Sequence, residues 1–386
     1  MKDYAPSHLR NIALVGHGSS GKTSLAAALL FDAGAVSRLT KVDKGNTITD
    51  YEPEEIDRKI SISSAVCFLE WKDRKVNLVD TPGYSNFLWD TKASLRAVDA
   101  AAVVVDAVAG IEVGTEKVWE MLEGYKLPRV FVINKLDREN ANFQRTMDLI
   151  RESFGREAVA VQLPIGEEKD FSGVYDLLQN KAFLFEKDES GKFKEGEAPA
   201  AVKAEADKAR EAMMEMVAES DEKLMEKFFE KGTLTPEEFS AGMKKSVAAR
   251  QIFPVFICSA LQNIGLQPVL DGLVEFLPSP QDRDGIPAKV KGQEGAVKPS
   301  PDEPFSALVF KTISDPYTGR ITLMRIFSGK VNSDATVTNS RKEAEEKLVG
   351  LFYLQGKEQT AAGQAKAGDI VATSKLKVTA TGDTLC

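Results

Sequence analysis

The sequence predicts an α/β domain built on a parallel sheet, followed by a smaller all-β domain. Near the amino terminus, the apolar run at residues 12–15 leads directly into a glycine-rich loop and an apolar helical stretch at residues 25–31. Two later strand-like runs, residues 75–79 and 130–133, also end in polar motifs, as buried parallel strands often do. After Pro280 the pattern changes to short segments of β-type composition separated by turn residues such as Pro316 and Thr318.

The glycine-rich loop has the spacing Gly-x-x-x-x-Gly-Lys-Thr. Glycines let successive backbone N–H groups curl around phosphate oxygens, and the following helix points its positive end at the same anion. Lys22 is expected to reach the β- and γ-phosphates, and the Thr23 hydroxyl to bind Mg²⁺. By itself this loop predicts a nucleoside triphosphate, with a ligand-free turn as the alternative. Its predicted nucleotide-binding residues are Gly16, His17, Gly18, Ser19, Ser20, Gly21, Lys22, Thr23 and Ser24.

Three further motifs follow in order, each at the end of a predicted strand. Asp80 is expected to hold Mg²⁺ through water, and the Gly83 N–H to sense the γ-phosphate. The Asp137 carboxylate can accept two hydrogen bonds from guanine that adenine cannot donate, so the sequence predicts GTP rather than ATP. Because carboxyl ends of parallel strands share one sheet edge, the motifs should meet there. The predicted base-binding residues are Asn134, Lys135, Asp137, Ser259, Ala260 and Leu261.

This ordered set resembles the translational GTPases, most closely bacterial elongation factor G. Stretches without nucleotide chemistry, at residues 107–112, 163–166 and 276–280, carry the same resemblance over essentially the whole chain. The resemblance implies an α/β P-loop GTPase domain at residues 1–280, with an inserted α/β subdomain at 153–252. A linker at 281–303 and an all-β translation-factor barrel at 304–386 would follow. Since the family continues into further domains, the chain is interpreted as an amino-terminal fragment.

Several positions depart from the family pattern. Ser61 stands where a threonine binds Mg²⁺, which leaves Thr23, Ser61 and Asp80 as the expected metal-binding residues. Lys59 replaces a glycine and should reduce backbone freedom next to Ser61. Ser19 replaces an aspartate in the phosphate loop, with an effect that the sequence does not predict.

The largest departure is Tyr84, at the position of the family's water-positioning histidine. The two histidines of the chain, His8 and His17, do not replace it, since His17 occupies a loop position that is histidine in the family as well. A phenol is protonated near pH 7 and differently placed, although it can still orient water by hydrogen bonding. The candidate catalytic residues are Tyr84, Lys22 and Gly83.

Two classes of function therefore remain open. The favoured interpretation is a GTPase that acts on the ribosome during elongation and binds GTP/GDP and Mg²⁺. The alternative is a GTP-sensing ribosome ligand with little hydrolysis. Within the enzyme class, release-factor recycling and ribosome protection are further alternatives. A ribosome contact would need local basic surface, expected at Lys311, Arg320 and Arg325, with scattered surface charge as the other interpretation.

Composition sets limits on these interpretations. The net charge of −8 argues against a nonspecific nucleic-acid binder, because neutralising phosphates requires basic surface. Asp99 and Asp106 interrupt the best apolar stretch, so no membrane partner is expected. Three cysteines cannot all pair, and reduced, buried thiols are expected at Cys67 and Cys258. A cytoplasmic monomer is the expectation.

Overall fold

The structure is a computed structural model that describes residues 2–283, 285–290, 292–315 and 319–386. The turn predicted at Pro316 and Thr318 lies outside the described residues. Cys67 and Cys258 are buried free thiols, as predicted. Within the described ranges, none of the helices is both long enough and apolar enough to cross a membrane.

The α-helices of the described residues all lie within the first 280 positions. They are α1 (Lys22–Asp32), α2 (Pro53–Arg58), α3 (Leu88–Leu95), α4 (Val113–Gly124), α5 (Phe143–Phe154), α6 (Ala200–Glu219), α7 (Glu222–Lys231), α8 (Pro236–Ala248) and α9 (Leu266–Phe276).

The strands extend through the whole chain. They are β1 (Leu9–Val15), β2 (Ala65–Trp71), β3 (Arg74–Asp80), β4 (Ala100–Asp106), β5 (Arg129–Asn134), β6 (Ala158–Ala160), β7 (Gln162–Ile165), β8 (Gly173–Asp176), β9 (Lys181–Phe185), β10 (Phe193–Gly196), β11 (Phe253–Ile257), β12 (Ile286–Val290), β13 (Gln293–Val297), β14 (Ser306–Asp315), β15 (Gly319–Ser328), β16 (Lys330–Asn332), β17 (Thr336–Asn339), β18 (Ala344–Lys347), β19 (Val349–Gln355), β20 (Glu358–Ala362), β21 (Gln364–Lys366), β22 (Ile370–Ser374) and β23 (Thr384–Leu385).

A seven-stranded sheet forms the centre of the first domain. Its order is β2-β3-β1-β4-β5-β11-β6, and every pair is parallel except β2 with β3. Strands β1, β4 and β5 are buried along their whole length, which explains their nearly continuous apolar sequence. Their carboxyl ends lie at one edge, where the predicted motifs begin.

The insertion after α5 is an α/β subdomain, with the antiparallel sheet β10-β9-β8-β7 and helices α6 to α8. Helix α8 begins at a capping box in which Thr235 accepts from the Glu238 N–H and Glu238 accepts from the Thr235 N–H. Strand β6, however, pairs with β11 in the main sheet. The bound predicted at residue 153 lies within α5, and we propose that the inserted part begins after β6.

The region predicted as a linker, residues 281–303, contains the antiparallel hairpin β12–β13. Its described residues are mostly exposed, so no apolar alternation marked it in the sequence.

The second domain is an eight-stranded antiparallel sheet with the order β18-β17-β23-β14-β15-β22-β19-β20, accompanied by the pair β16–β21. Strands from both ends of this order contribute to one apolar cluster, which includes Val337, Leu351 and Ala362, together with Val331 of β16 and Ala365 of β21. The sheet must curve for these side chains to meet, as a barrel-like domain requires. The fold class predicted from the sequence is confirmed.

A buried polar network joins the two domains. Asp99 is fully buried and forms salt bridges with two arginines. Its Oδ2 lies 2.9 Å from Arg325 Nη2, and its Oδ1 lies 3.2 Å from Arg283 Nη1. Asn11 Nδ2 donates to Asp99 at 2.8 Å and to the Gly368 carbonyl at 3.0 Å. Burial lowers the pKa of Arg325, against the opposing charge of Asp99. These contacts fix the β domain to strand β1 of the GTPase sheet.

The basic surface expected at Lys311, Arg320 and Arg325 does not form. Lys311 and Arg325 are 6% and 0% exposed because both side chains turn toward carboxylates of the first domain. A cation buried against a partner carboxylate is unavailable to an external phosphate.

Candidate functional site

The loop between β1 and α1 wraps around the side chain of Lys22. Its Nζ donates to the carbonyl oxygens of Gly16 at 3.1 Å and His17 at 2.7 Å. Gly21 has φ 94° directly before α1, a left-handed conformation that favours glycine. Burial lowers the pKa of Lys22 to about 8, and nearby carboxylates oppose that shift. Phosphate oxygens placed here would favour the charged ammonium further.

Hydroxyl and carboxylate groups meet beside the start of α1. Thr23 Oγ1 lies 3.0 Å from Ser61 Oγ, and the Thr49 hydroxyl donates to Asp80 Oδ2 at 2.8 Å. The other carboxylate oxygen of Asp80 and Oδ1 of Asp50 are buried and have no hydrogen-bond partner among the described residues. Burying such oxygens without a partner is unfavourable, which indicates that a ligand completes this cluster.

The pKa values of the two carboxyl groups agree with that interpretation. Burial raises the pKa of Asp80, although hydroxyls of Thr49 and Thr23 counteract it. Burial, followed by the charge of Asp80, raises the pKa of Asp50 to about 7. A cation between the two would stabilise both ionised forms.

The residues at this cluster fit Mg²⁺. This ion binds proteins through one or two carboxylates and retains waters and substrate phosphates as its other ligands. The described part of the chain holds no cluster of three or more histidine, cysteine, aspartate or glutamate side chains suited to a metal. Thr23, Ser61 and Asp80 therefore stay the predicted set. The unpartnered Oδ1 of Asp50 makes this residue a further candidate, which the sequence reasoning missed because no regular pattern surrounds it.

Asn134 links the phosphate loop to the end of β11. Its Nδ2 donates to the Ser20 carbonyl at 3.1 Å, and its Oδ1 accepts from the backbone N–H of Ala260 at 3.0 Å. A Cβ at Gly21 would lie 2.3 Å from that Nδ2, so the loop can approach only because this residue is glycine. Three motifs that are far apart in sequence are thereby held in one arrangement.

Lys135 extends this linkage to a residue that the sequence reasoning missed. Its Nζ donates to the Ser19 carbonyl at 2.5 Å and to Asp106 Oδ2 at 2.6 Å. Burial alone would raise the pKa of Asp106, but the Lys135 hydrogen bond and backbone N–H donors outweigh it and lower the pKa. Because Asp106 ends β4 at the same sheet edge, the rule used for the other motifs could have identified it.

The side chains of the remaining predicted base-binding residues take no part in the hydrogen bonds that Asn134 and Lys135 make. Asp137 is half-buried, and its carboxylate has no hydrogen-bond partner within the described ranges. The Ser259 hydroxyl accepts from the Gln262 N–H at 3.2 Å, and Leu261 is 40% exposed. Their contacts with guanine stay predictions.

A cavity of about 260 Å³ occupies the space between these elements. Larger cavities, of about 380, 430 and 350 Å³, lie elsewhere among the described residues, and none of these three is lined by the phosphate loop. The residues that line the cavity are Gly18, Ser19, Gly21, Lys22, Thr23, Ser24, Val42, Asp43, Asp50, Lys59, Ile60, Ser61, Gly83, Tyr84, Lys135 and Arg138. Most of the residues predicted to bind phosphate or metal thus line the same cavity.

Tyr84 lies over the phosphate loop. Its hydroxyl oxygen is 2.9 Å from Ser19 Oγ, and the residue is 36% exposed. His17 is occupied elsewhere: its Nδ1 accepts from the Gly114 N–H at 3.1 Å, and its Nε2 lies 3.3 Å from a Glu112 carboxylate oxygen. The structure therefore leaves Tyr84 as the aromatic polar group that borders the cavity.

Residues 42–64, here called the first switch segment, form another wall of the cavity. Glu55 is buried and accepts backbone N–H groups from both sides of α2, which ties the two flanks of this helix together. The four donors are Tyr51, Glu52, Ile62 and Ser63. Lys59 directly follows α2 and has φ 56°, a left-handed conformation that favours glycine at the end of a helix.

Comparisons with known proteins agree with this architecture. Residues 7–279 match the family model described as the elongation factor Tu GTP binding domain, and residues 304–386 match elongation factor G domain 2. Elongation factor G 2 of Syntrophomonas wolfei is 38% identical over 385 residues, which is 99% of this chain and 56% of that protein.

A solved structure supports the same relationship. The crystal structure of a protein from Thermus thermophilus superimposes with a TM-score of 0.87 at 31% identity, over 98% of this chain and 54% of the other. The chain thus spans about half the length of the proteins that it matches.

Proposed function

Because the chain belongs to the elongation factor G family of translational GTPases, we propose that the protein hydrolyses GTP on the ribosome during elongation. The observation that supports this most directly is the shared cavity. It is bordered by Lys22, Thr23, Ser61 and Tyr84, with the phosphate loop beneath. The ribosome, GTP and GDP, and Mg²⁺ are the proposed partners and cofactor.

In the proposed reaction, water attacks the γ-phosphorus of GTP as the bond to the bridging oxygen breaks. The bond's electron pair stays with GDP, and the protons of the water remain with the released phosphate and solvent. Bound Mg²⁺ would neutralise phosphate charge. Lys22 and the Gly83 N–H stabilise negative charge at the γ-phosphate, and Tyr84 orients the water through its hydroxyl.

The nucleotide-sensing alternative also has an observation in its favour. The Tyr84 hydroxyl already makes a hydrogen bond to Ser19, which uses part of its capacity to bind a water. A family member with this tyrosine would then bind GTP, close the first switch segment and dissociate slowly from the ribosome without rapid hydrolysis.

The two functions are separated by single-turnover GTP hydrolysis of the intact protein, with and without ribosomes. The parent should be stimulated by ribosomes, and Tyr84→Phe should be slower by about 10²-fold or more, the size of water-positioning effects. Tyr125→Phe, a half-buried tyrosine outside the cavity, serves as the control. Stimulation that appears only in Tyr84→His would establish the binding function instead. Ribosome recycling and protection would be distinguished by a tRNA translocation assay.

A further inference from the structure

We propose that Ser19 is a positioning residue for Tyr84, so that two departures from the family pattern form one functional unit. The inference rests on the proposed hydrolysis and adds to it. It assigns a role to the Ser19 side chain that differs from phosphate binding by the loop backbone.

The two side chains meet through their hydroxyl groups. Ser19 Oγ and Tyr84 Oη are 2.9 Å apart, a distance typical of an O–H···O hydrogen bond. Whichever hydroxyl donates, the phenol retains hydrogen-bonding capacity that can serve the cavity. The hydrogen bond therefore uses one part of the phenol's capacity to orient the ring and leaves the other part for a water.

Gly18 allows the ring of Tyr84 to lie on the loop. A Cβ built at Gly18 would be 2.7 Å from Cζ of the tyrosine ring and 2.8 Å from Cε1 and Cε2. Real Cβ atoms do not approach a ring this closely, so any larger residue would displace Tyr84. The absent side chain at Gly18 and the hydroxyl of Ser19 thus support the same position of the ring.

The backbone of Ser19 is itself fixed. Its φ of 64° is left-handed, and its carbonyl accepts a hydrogen bond from Lys135 Nζ, which also pairs with buried Asp106. This arrangement directs the Ser19 side chain toward Tyr84. A hydroxyl on a fixed backbone loses little freedom when it makes its hydrogen bond, which favours precise positioning.

His17 does not compete for this role. Its ring centroid is 6.4 Å from that of Tyr84, and both of its nitrogens face other partners, Gly114 and Glu112. The hydroxyl of Ser19 is therefore the side-chain group that holds the phenol.

The test is single-turnover GTP hydrolysis by the intact protein on ribosomes, together with equilibrium binding of a fluorescent GTP analogue. Ser19→Ala should slow hydrolysis about three- to tenfold, the effect of one hydrogen bond, while the analogue's affinity stays within about twofold. Ser19→Asn should restore the rate, because asparagine tolerates a left-handed backbone and also bonds a phenol. The double variant Ser19→Ala/Tyr84→Phe should be no slower than Tyr84→Phe.

Ser340→Ala, an exposed serine of the β domain, is the control and should match the parent. A parent rate in Ser19→Ala, or losses that multiply in the double variant, would overturn the positioning role and leave the proposed GTPase function intact. A parent protein that hydrolyses no GTP with ribosomes would overturn both.

Discussion

At the scale of single residues, Lys59 shows how backbone conformation limits the choice of side chain. It directly follows α2 with φ 56°, and it lines the cavity together with Ile60 and Ser61. A left-handed conformation costs a residue with a Cβ about 1–2 kcal/mol, and glycine avoids that cost but loses more freedom on folding.

Lys59→Gly should therefore increase the free energy of unfolding by about 0.5–1 kcal/mol. This is the strain energy of the left-handed lysine minus the extra conformational entropy that glycine loses on folding. Chemical denaturation measures it. Lys44→Gly, in a short helical turn of the same segment, is a suitable control and should be destabilising. A Lys59→Gly protein no more stable than the parent would show that the left-handed conformation is not strained.

Asp137 is the residue on which the choice of base depends. Asp137→Asn should lower the affinity for GTP by about 100-fold or more, since two hydrogen bonds to a carboxylate are lost. Affinity for xanthosine triphosphate should rise, because an asparagine amide can donate to the oxygen at position 2 of that base. Competition binding with both nucleotides measures the exchange. Asp148→Asn, exposed on α5, is the control, and unchanged selectivity in Asp137→Asn would refute the assignment of the base pocket.

At the scale of elements, a lysine of the β domain links the first switch segment to α3. Lys311 Nζ on β14 lies 2.7 Å from Asp90 Oδ2 on α3 and 2.7 Å from the Ser64 carbonyl, and it also contacts the Ser63 hydroxyl. Asp90 in turn accepts from the Ser63 hydroxyl and the Ser64 N–H. Three elements thus share one buried cation, so a movement of the first switch segment or of α3 must break contacts with the second domain.

Lys311→Met should lower the free energy of unfolding by about 1–3 kcal/mol, less than for a fully buried pair because Asp90 is partly exposed. Hydrogen exchange at the Ser64 amide should accelerate, because this amide donates to Asp90 and Asp90 would no longer be held by the Lys311 ammonium. Lys347→Met, on exposed β18, is the control. Unchanged exchange at Ser64 would show that Lys311 does not hold the segment.

At the scale of the whole molecule, the two domains share more than a linker. Apolar residues of the β domain, including Phe310, Leu323 and Phe352, belong to the same cluster as Val103 and Phe131 of the GTPase sheet. The network around Asp99 adds charged contacts to this apolar interface. A continuous core of this kind makes independent motion of the two domains unfavourable.

Arg325→Met should destabilise the protein by about 3–5 kcal/mol, because the buried Asp99 carboxylate would lose one of its two arginine partners. Differential scanning calorimetry should then resolve separate unfolding of the two domains. Arg156→Met, which changes an exposed arginine, should leave one transition at the parent temperature. A single unshifted transition in Arg325→Met would show that the interface does not depend on this network.

The sequence by itself determined the fold class and the order of the phosphate, metal and base motifs. It could do so because each motif combines a local backbone requirement, such as the glycines of the phosphate loop, with a buried strand that ends at a common edge. The same local signals gave the capping box at Thr235, which the structure contains.

Only the tertiary structure decided which distant side chains meet. Asp50 beside Asp80, Lys311 on Asp90 and Tyr84 on Ser19 are contacts between separate segments, and nothing periodic in the sequence marks them. Lys311 and Arg325 looked like surface charges because a side chain's burial depends on what packs over it. Local sequence sets conformation, whereas the arrangement of elements determines which polar groups lose water and therefore which partners they require.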